Sequence, residues 1–305
     1  MKKDTSNRNQ LHPFYSEFVP IRGRRYHIRL WGSDDAPAIF FLHGWGDTSA
    51  SFQFTVDALE HDWRIIAPDW RGFGESQWND GGPYYFQDYI ADLDALLERY
   101  SPDTPARIAG HSMGGIVAGI YAGIRPERVA RFVNIEGFIL WTATPEESPE
   151  RFEKWLEQLR EDTAAFRVYD NREAFAERLM TKNPRLTPER ACFLSKHVLR
   201  TLDGEGGFTF AGDPRHRWIA PLLHPLPETM ACWQRSQAQT LWIAGSDSPV
   251  TKLFAKRPED YQERIACLTH VKDALIEGSG HNIHHDRPEQ LARLCEDFFL
   301  SELPP

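Results

Sequence analysis

For most of its length the chain alternates short apolar runs with amphipathic stretches. Ala38-Ile39-Phe40-Phe41-Leu42 is continuously apolar, as expected of a parallel strand covered on both faces, and it ends at His43-Gly44-Trp45-Gly46. Arg64-Ile65-Ile66-Ala67, Arg107-Ile108-Ala109, Arg131-Phe132-Val133-Asn134-Ile135, Thr240-Leu241-Trp242-Ile243-Ala244 and Asp273-Ala274-Leu275-Ile276 predict further short strands. Helical spacing appears at 52–59, at 89–100 with Ile90, Leu93, Leu96 and Leu97 on one face, at 116–124, and in a closing helix at 288–300. Residues 25–31 alternate polar and apolar, which suits an early antiparallel strand, and Asp34-Asp35-Ala36-Pro37 supplies the turn after it. Strands and helices repeating at these lengths imply right-handed crossovers. The fold class is therefore α/β, with a mostly parallel sheet covered by helices on both faces.

The rhythm breaks at residue 138. From there to about 237 the strand pattern disappears, and helical stretches at 151–166 and 173–180 alternate with proline-containing turns. The segments 1–137 and 238–305 therefore read as one core, and 138–237 as a helical insert within it. A chain of 305 residues is long enough to bury such a core. With 41% apolar residues, 26% charged residues and a net charge of −9, the composition is ordinary globular and disfavours nucleic acid or an anionic membrane as partner. A small molecule is the expected ligand. Residues 1–10 are polar and lack a signal-peptide core, and no uncharged apolar run is long enough to span a bilayer, so the chain reads as soluble and cytoplasmic. Cys192, Cys232, Cys267 and Cys295 are far apart with no Cys-x-x-Cys pair, and read as free thiols.

Gly110-His111-Ser112-Met113-Gly114 follows the apolar run Ile108-Ala109 and precedes a stretch of small residues. A strand that turns sharply into a helix holds its central residue in a strained conformation and leaves no room for side chains beside it, so a serine between two glycines suits a nucleophile elbow. The loops at the carboxyl ends of parallel strands form the ligand crevice, which lets distant groups meet. His281, in Gly278-Ser279-Gly280-His281-Asn282, occupies one such loop, and imidazole is the natural base for a serine hydroxyl. His43-Gly44-Trp45 occupies another. There the amides of Trp45 and Met113 are placed to face a developing oxyanion, with His43 in a structural hydrogen-bonding role.

Taken together, His43-Gly44-Trp45, Asp69-x-Arg71-Gly72-x-Gly74-x-Ser76, Gly110-x-Ser112-x-Gly114 and Gly280-His281 resemble the α/β-hydrolase family in order and spacing, from about residue 39 to 299. The resemblance implies an eight-stranded, mostly parallel sheet with a serine, acid, histidine triad, and it makes the insert a cap domain. The family places the acid after one of two later strands. At one of them Gly245 is followed three residues on by Ser248 where the family has aspartate, and Asp247 stands one residue early. At the other, Glu136 ends the strand after the elbow helix, and some haloalkane dehalogenases resemble the chain there with a glutamate acid. Glu136 is the preferred acid and Asp247 the alternative. Dehalogenases and epoxide hydrolases of this family resemble the chain elsewhere but carry aspartate where Ser112 stands, so the serine argues against both.

Other groups weigh less. His281-Asn282-Ile283-His284-His285-Asp286 has the composition of a metal cluster, but a triad histidine does not also bind metal comfortably, so no metal is expected. Arg215-His216-Arg217 reads as solvated surface, and Trp141, Trp155, Trp218 and Trp233 read as packing residues. The expected activity is that of a serine carboxylesterase without cofactor, acting on a small, partly apolar ester. A carbon–carbon bond hydrolase of ring-cleavage products and a noncatalytic ligand receptor are the alternatives. The oligomeric state is left open.

Overall fold

The computed structural model describes residues 11–138, 144–202, 204, 206–222 and 225–302. Eight strands form its main sheet: β1 (Phe14–Ile21), β2 (Arg24–Trp31), β3 (Ala38–Leu42), β4 (Arg64–Pro68), β5 (Ala106–His111), β6 (Val129–Ile135), then, after three short strands elsewhere, β10 (Gln239–Gly245) and β11 (Val271–Ile276). The order across the sheet is β1-β2-β4-β3-β5-β6-β10-β11, and only the pairs involving β2 are antiparallel. Order and direction are those of the α/β-hydrolase sheet that the resemblance implies.

Each central strand feeds two cores by simple alternation. Phe40, Leu42, Ile66, Ile108 and Phe132 pack on one face, where α2 (Phe86–Tyr100) and α3 (Met113–Ile124) lie. Ile39, Phe41, Ile65, Ala67, Ala109, Val133 and Ile135 pack on the other, against Val56 of α1 (Gln53–Asp57) and Leu291 and Phe299 of the last helix. Continuous apolar sequence is what burial on both faces demands. The small residues of α3 serve a neighbour as well as the sheet, since a Cβ at Gly123 would lie 1.8 Å from the Cys232 carbonyl oxygen.

Between β6 and β10 run α4 (Ser148–Glu161), α5 (Arg172–Lys182), α6 (Pro188–Val198) and α7 (Leu226–Trp233). The segment is not purely helical. The strands β7 (Val168–Tyr169), β8 (Leu199–Thr201) and β9 (Phe208–Phe210) form a small antiparallel sheet in the order β7-β9-β8, too short to leave a periodic signature. α4 stops before the predicted 166 because Asp162 adopts a left-handed conformation, φ 42°. After β10 come α8 (Pro249–Phe254) and α9 (Pro258–Ile265), and after β11 α10 (Ile283–Asp286) and α11 (Pro288–Leu300). No described helix is long and apolar enough to cross a membrane. All four cysteines are free thiols. Residues 1–10 and Trp141 lie outside the described residues.

A buried ion pair fixes the loop after β4. Arg71 donates from Nε to Asp92 Oδ2 at 2.5 Å and from Nη2 to Asp92 Oδ1 at 2.6 Å, while the Tyr26 hydroxyl donates to the same carboxylate. Burial alone would lower the Arg71 pKa, but the bonds to Asp92 raise it above its ordinary value. Asp92→Ala leaves a buried guanidinium without its main partner and is expected to destabilise the fold by about 3 to 5 kcal/mol, read as a lower midpoint in urea denaturation.

Candidate active site

Ser112 sits between the end of β5 and the start of α3 with φ 49° and ψ −115°, a conformation that L-residues rarely adopt. The flanking glycines permit the turn. A Cβ at Gly110 would lie 2.6 Å from the Gly114 carbonyl carbon, and one at Gly114 would lie 2.3 Å from the Leu42 carbonyl oxygen. The Ser112 amide donates to the Ile135 carbonyl at 2.8 Å, tying the elbow to the end of β6. Within the described residues the hydroxyl has no hydrogen-bond partner, so nothing competes for it. Bonds between nucleophile and base are often long before substrate arrives.

The residue that follows β6 is Glu136, 1% exposed and itself at φ 58°. Its Oε2 accepts from His281 Nδ1 at 3.0 Å. Two further donors fix the carboxylate: the Gly245 amide to Oε1 at 2.8 Å and the Ser248 hydroxyl to Oε2 at 2.5 Å. Ser248 is fully buried and caps α8, its Oγ accepting from the Val250 amide at 3.1 Å. The residue that stands where an aspartate was expected therefore braces the carboxylate on the neighbouring strand. Asp247 faces elsewhere: its carboxylate pairs with Arg185 and its side chain is 43% exposed. Of the two candidate acids, Glu136 is the one whose carboxylate meets His281.

Because Nδ1 of His281 faces a carboxylate, it carries the proton and leaves Nε2 as the basic nitrogen. Trp45 lies on the loop after β3 and Met113 directly follows Ser112. Met113 heads α3, where the first-turn amides have no partner within the helix. A Cβ at Gly44 would fall 3.1 Å from the Ser112 Cβ, so the Gly44-Trp45 loop closes against the elbow. His43 shapes that loop. Its Nδ1 donates to the Gly44 carbonyl at 2.7 Å, and its Nε2 accepts from the Trp70 amide at 2.9 Å. Burial lowers its pKa, which keeps the ring neutral. Asp69 supports the same region, accepting from His27 Nδ1 at 2.7 Å and the Ser49 amide at 2.7 Å, and Gly74 is required there because a Cβ would fall 2.1 Å from Asp69 Oδ2.

Several of the remaining sequence candidates are scaffold. His284 Nε2 bonds Asp47 Oδ2 at 3.1 Å, and Asp286 accepts from the Gly280 amide at 2.8 Å and from Asn183 Nδ2 at 2.5 Å. Burial pushes His285 down to about 3. Asp47, His111 and His284 bring ligand-type atoms within 4.8 Å of one another, yet one ring nitrogen of each histidine is already engaged in a hydrogen bond. Arg215 pairs with Asp162, and Arg217 bonds the Ala165 carbonyl at 2.6 Å. His216, in contrast to the expectation of solvated surface, stacks between Phe73 and Tyr84 at centroid distances of 3.8 and 3.7 Å. Trp233 is a core residue packed on Trp242, whereas Trp155 and Trp218 are half-buried. The sequence marks Ser248 only as a departure and does not mark His111, Asp47 or Asn183, each of which makes one bond to a residue far along the chain, His281, His284 and Asp286 respectively. The one available signal was the polar Ser248 at an expected acid position.

A family model described as the alpha/beta hydrolase fold matches residues 37–288. The chain is 30% identical over 308 residues to a serine hydrolase-like protein of Danio rerio, covering 95% of this chain and 90% of that protein. Among solved structures it is similar to a thioesterase domain from the curacin biosynthetic pathway, with TM-score 0.82 and 24% identity over 93% of this chain and 99% of that one. It is also similar in fold to an esterase from Mycobacterium tuberculosis, with TM-score 0.72 and 21% identity over 97% and 95% of the two chains.

Proposed function

Since the chain belongs to the α/β-hydrolase fold family as a serine hydrolase-like member, we propose that it is a carboxylesterase acting on a small, partly apolar ester. The observation that carries this reading is the 3.0 Å bond between His281 Nδ1 and the buried Glu136 carboxylate, next to a strained serine. In the proposed reaction His281 Nε2 takes the Ser112 proton as Oγ attacks the ester carbonyl. The tetrahedral oxyanion is held by the amides of Trp45 and Met113, worth roughly 3 to 4 kcal/mol per donor. Collapse expels the alcohol, which receives the proton from His281. Water then attacks the acyl-enzyme with His281 again as base, releasing the acid and restoring Ser112. Glu136 fixes the imidazole tautomer and stabilises the imidazolium.

Residues 1–137 and 238–305 form the catalytic core in this reading, and 138–237 a cap that selects substrates. Trp45, 53% exposed beside the elbow and near Phe73 at 6.4 Å, offers an apolar surface for an acyl or alcohol group. No cofactor enters the mechanism.

p-Nitrophenyl esters of graded chain length, run beside a ring-cleavage dienoate, test the bond cleaved. Turnover of short and medium esters with no dienoate consumption is expected. Dienoate consumption without ester turnover would transfer the same residues to carbon–carbon bond hydrolysis, and turnover of neither would favour a ligand receptor.

A further inference from the structure

We infer that His111, the residue before the nucleophile, is a positioning residue for His281, holding its peptide through one partly buried hydrogen bond. The inference rests on the reading of His281 as the base. His111 is 3% exposed, and its Nε2 lies 2.9 Å from the His281 carbonyl oxygen, 170 residues away in sequence. A carbonyl can only accept, so this nitrogen carries the proton. Nδ1 is then a bare, buried nitrogen, and it has no partner among the described residues. Burial, together with the neighbouring His284 and His281, lowers the His111 pKa well below its ordinary value, which keeps this neutral tautomer.

The ring meets three loops at once. It belongs to the elbow strand, it bonds the His281 peptide, and it packs so closely on the Gly44 loop that a Cβ there would fall 2.8 Å from its Nδ1. His281 and His284 flank it at centroid distances of 4.9 and 4.4 Å. Other bonds anchor the residues on either side of His281: Gly280 through Asp286, and His284 through Asp47. His111 acts on the His281 peptide itself. Rotation of that peptide would swing the imidazole relative to Glu136 and Ser112, and a displacement of about 1 Å at a catalytic group is enough to cost on the order of 100-fold in rate.

The test separates the hydrogen bond from packing. His111→Phe keeps a ring but loses the donor, whereas His111→Gln keeps an N–H of similar reach. Three quantities are compared with wild type: the rate of fluorophosphonate labelling, kcat and KM for a p-nitrophenyl ester, and the downfield NMR resonance of the His281 Nδ1 proton, which needs no substrate. His111→Phe is expected to lower kcat and the labelling rate by about 10- to 100-fold, the usual effect of losing a partner that orients a functional histidine, with KM little changed and the resonance broadened. His111→Gln is expected to recover most of the loss. Wild-type rates and an unchanged resonance in His111→Phe would overturn the inference. So would inhibition by zinc chloride that His111→Gln relieves, which would make the Asp47, His111 and His284 cluster a metal site. If His111→Phe lacks a cooperative melt, His111→Asn, too short to reach the carbonyl, takes its place with the same expectations. If wild type shows the resonance but takes no label, the hydrolase reading fails while the resonance comparison still decides the role of His111.

Discussion

Ser112→Ala is expected to lower kcat for a p-nitrophenyl ester by about a million-fold, the scale on which serine hydrolases respond to loss of the nucleophile. The size follows from the chemistry. Without Oγ there is no acyl-enzyme, and only substrate binding and the oxyanion amides remain, which typically leave about 1,000- to 10,000-fold over water. The fold is expected to survive, and its melting temperature to hold or rise. The reason is local: the elbow φ of 49° is set by the close approach of Gly110 and Gly114 to their surroundings, and an alanine at 112 meets the same backbone constraint with one atom fewer. Steady-state kinetics together with a thermal melt check both halves. Activity lost with the melt intact separates a chemical role from a structural one.

The second large effect is expected at Glu136. Glu136→Gln keeps the shape of the side chain but places an amide against His281 Nδ1, which lets the imidazole turn its proton toward Ser112. A loss in kcat of about 10,000-fold is expected, the cost of the wrong tautomer in a triad. Asp247→Asn breaks a half-exposed pair with Arg185 and is expected to leave kcat within a few-fold of wild type. Kinetics of the two variants side by side decide between the acids. Should only Asp247→Asn lose activity, the bond between His281 and Glu136 would not be the catalytic one.

The contrast between these carboxylates shows where sequence reading reaches its limit. Ser112 and His281 stand out because each motif carries its own local demand: glycines for a tight turn, and a polar residue at a strand end. The acid is defined instead by which of two neighbouring loops points at Nδ1, a property of β6 and β10 lying side by side. Ser248 resolves the ambiguity only in three dimensions, where its hydroxyl reaches Glu136. His111 carried no signal at all, since its partner is a backbone carbonyl and any residue type supplies one. The same distinction runs through the fold. The run 38–42 is legible because burial on both faces forces continuous apolar sequence, and its residues divide cleanly between the two cores. β1 is mostly exposed, and β8 and β9 have three residues each, so neither burial nor periodicity marks them.

The central claim is that Ser112 is the nucleophile activated by His281 and Glu136. Incubation with a fluorophosphonate followed by peptide mass spectrometry tests it without knowledge of the natural substrate. A single adduct on Ser112 is predicted, absent in Ser112→Ala and formed far more slowly in Glu136→Gln. Labelling of another residue, or undiminished labelling of Ser112→Ala, would contradict it.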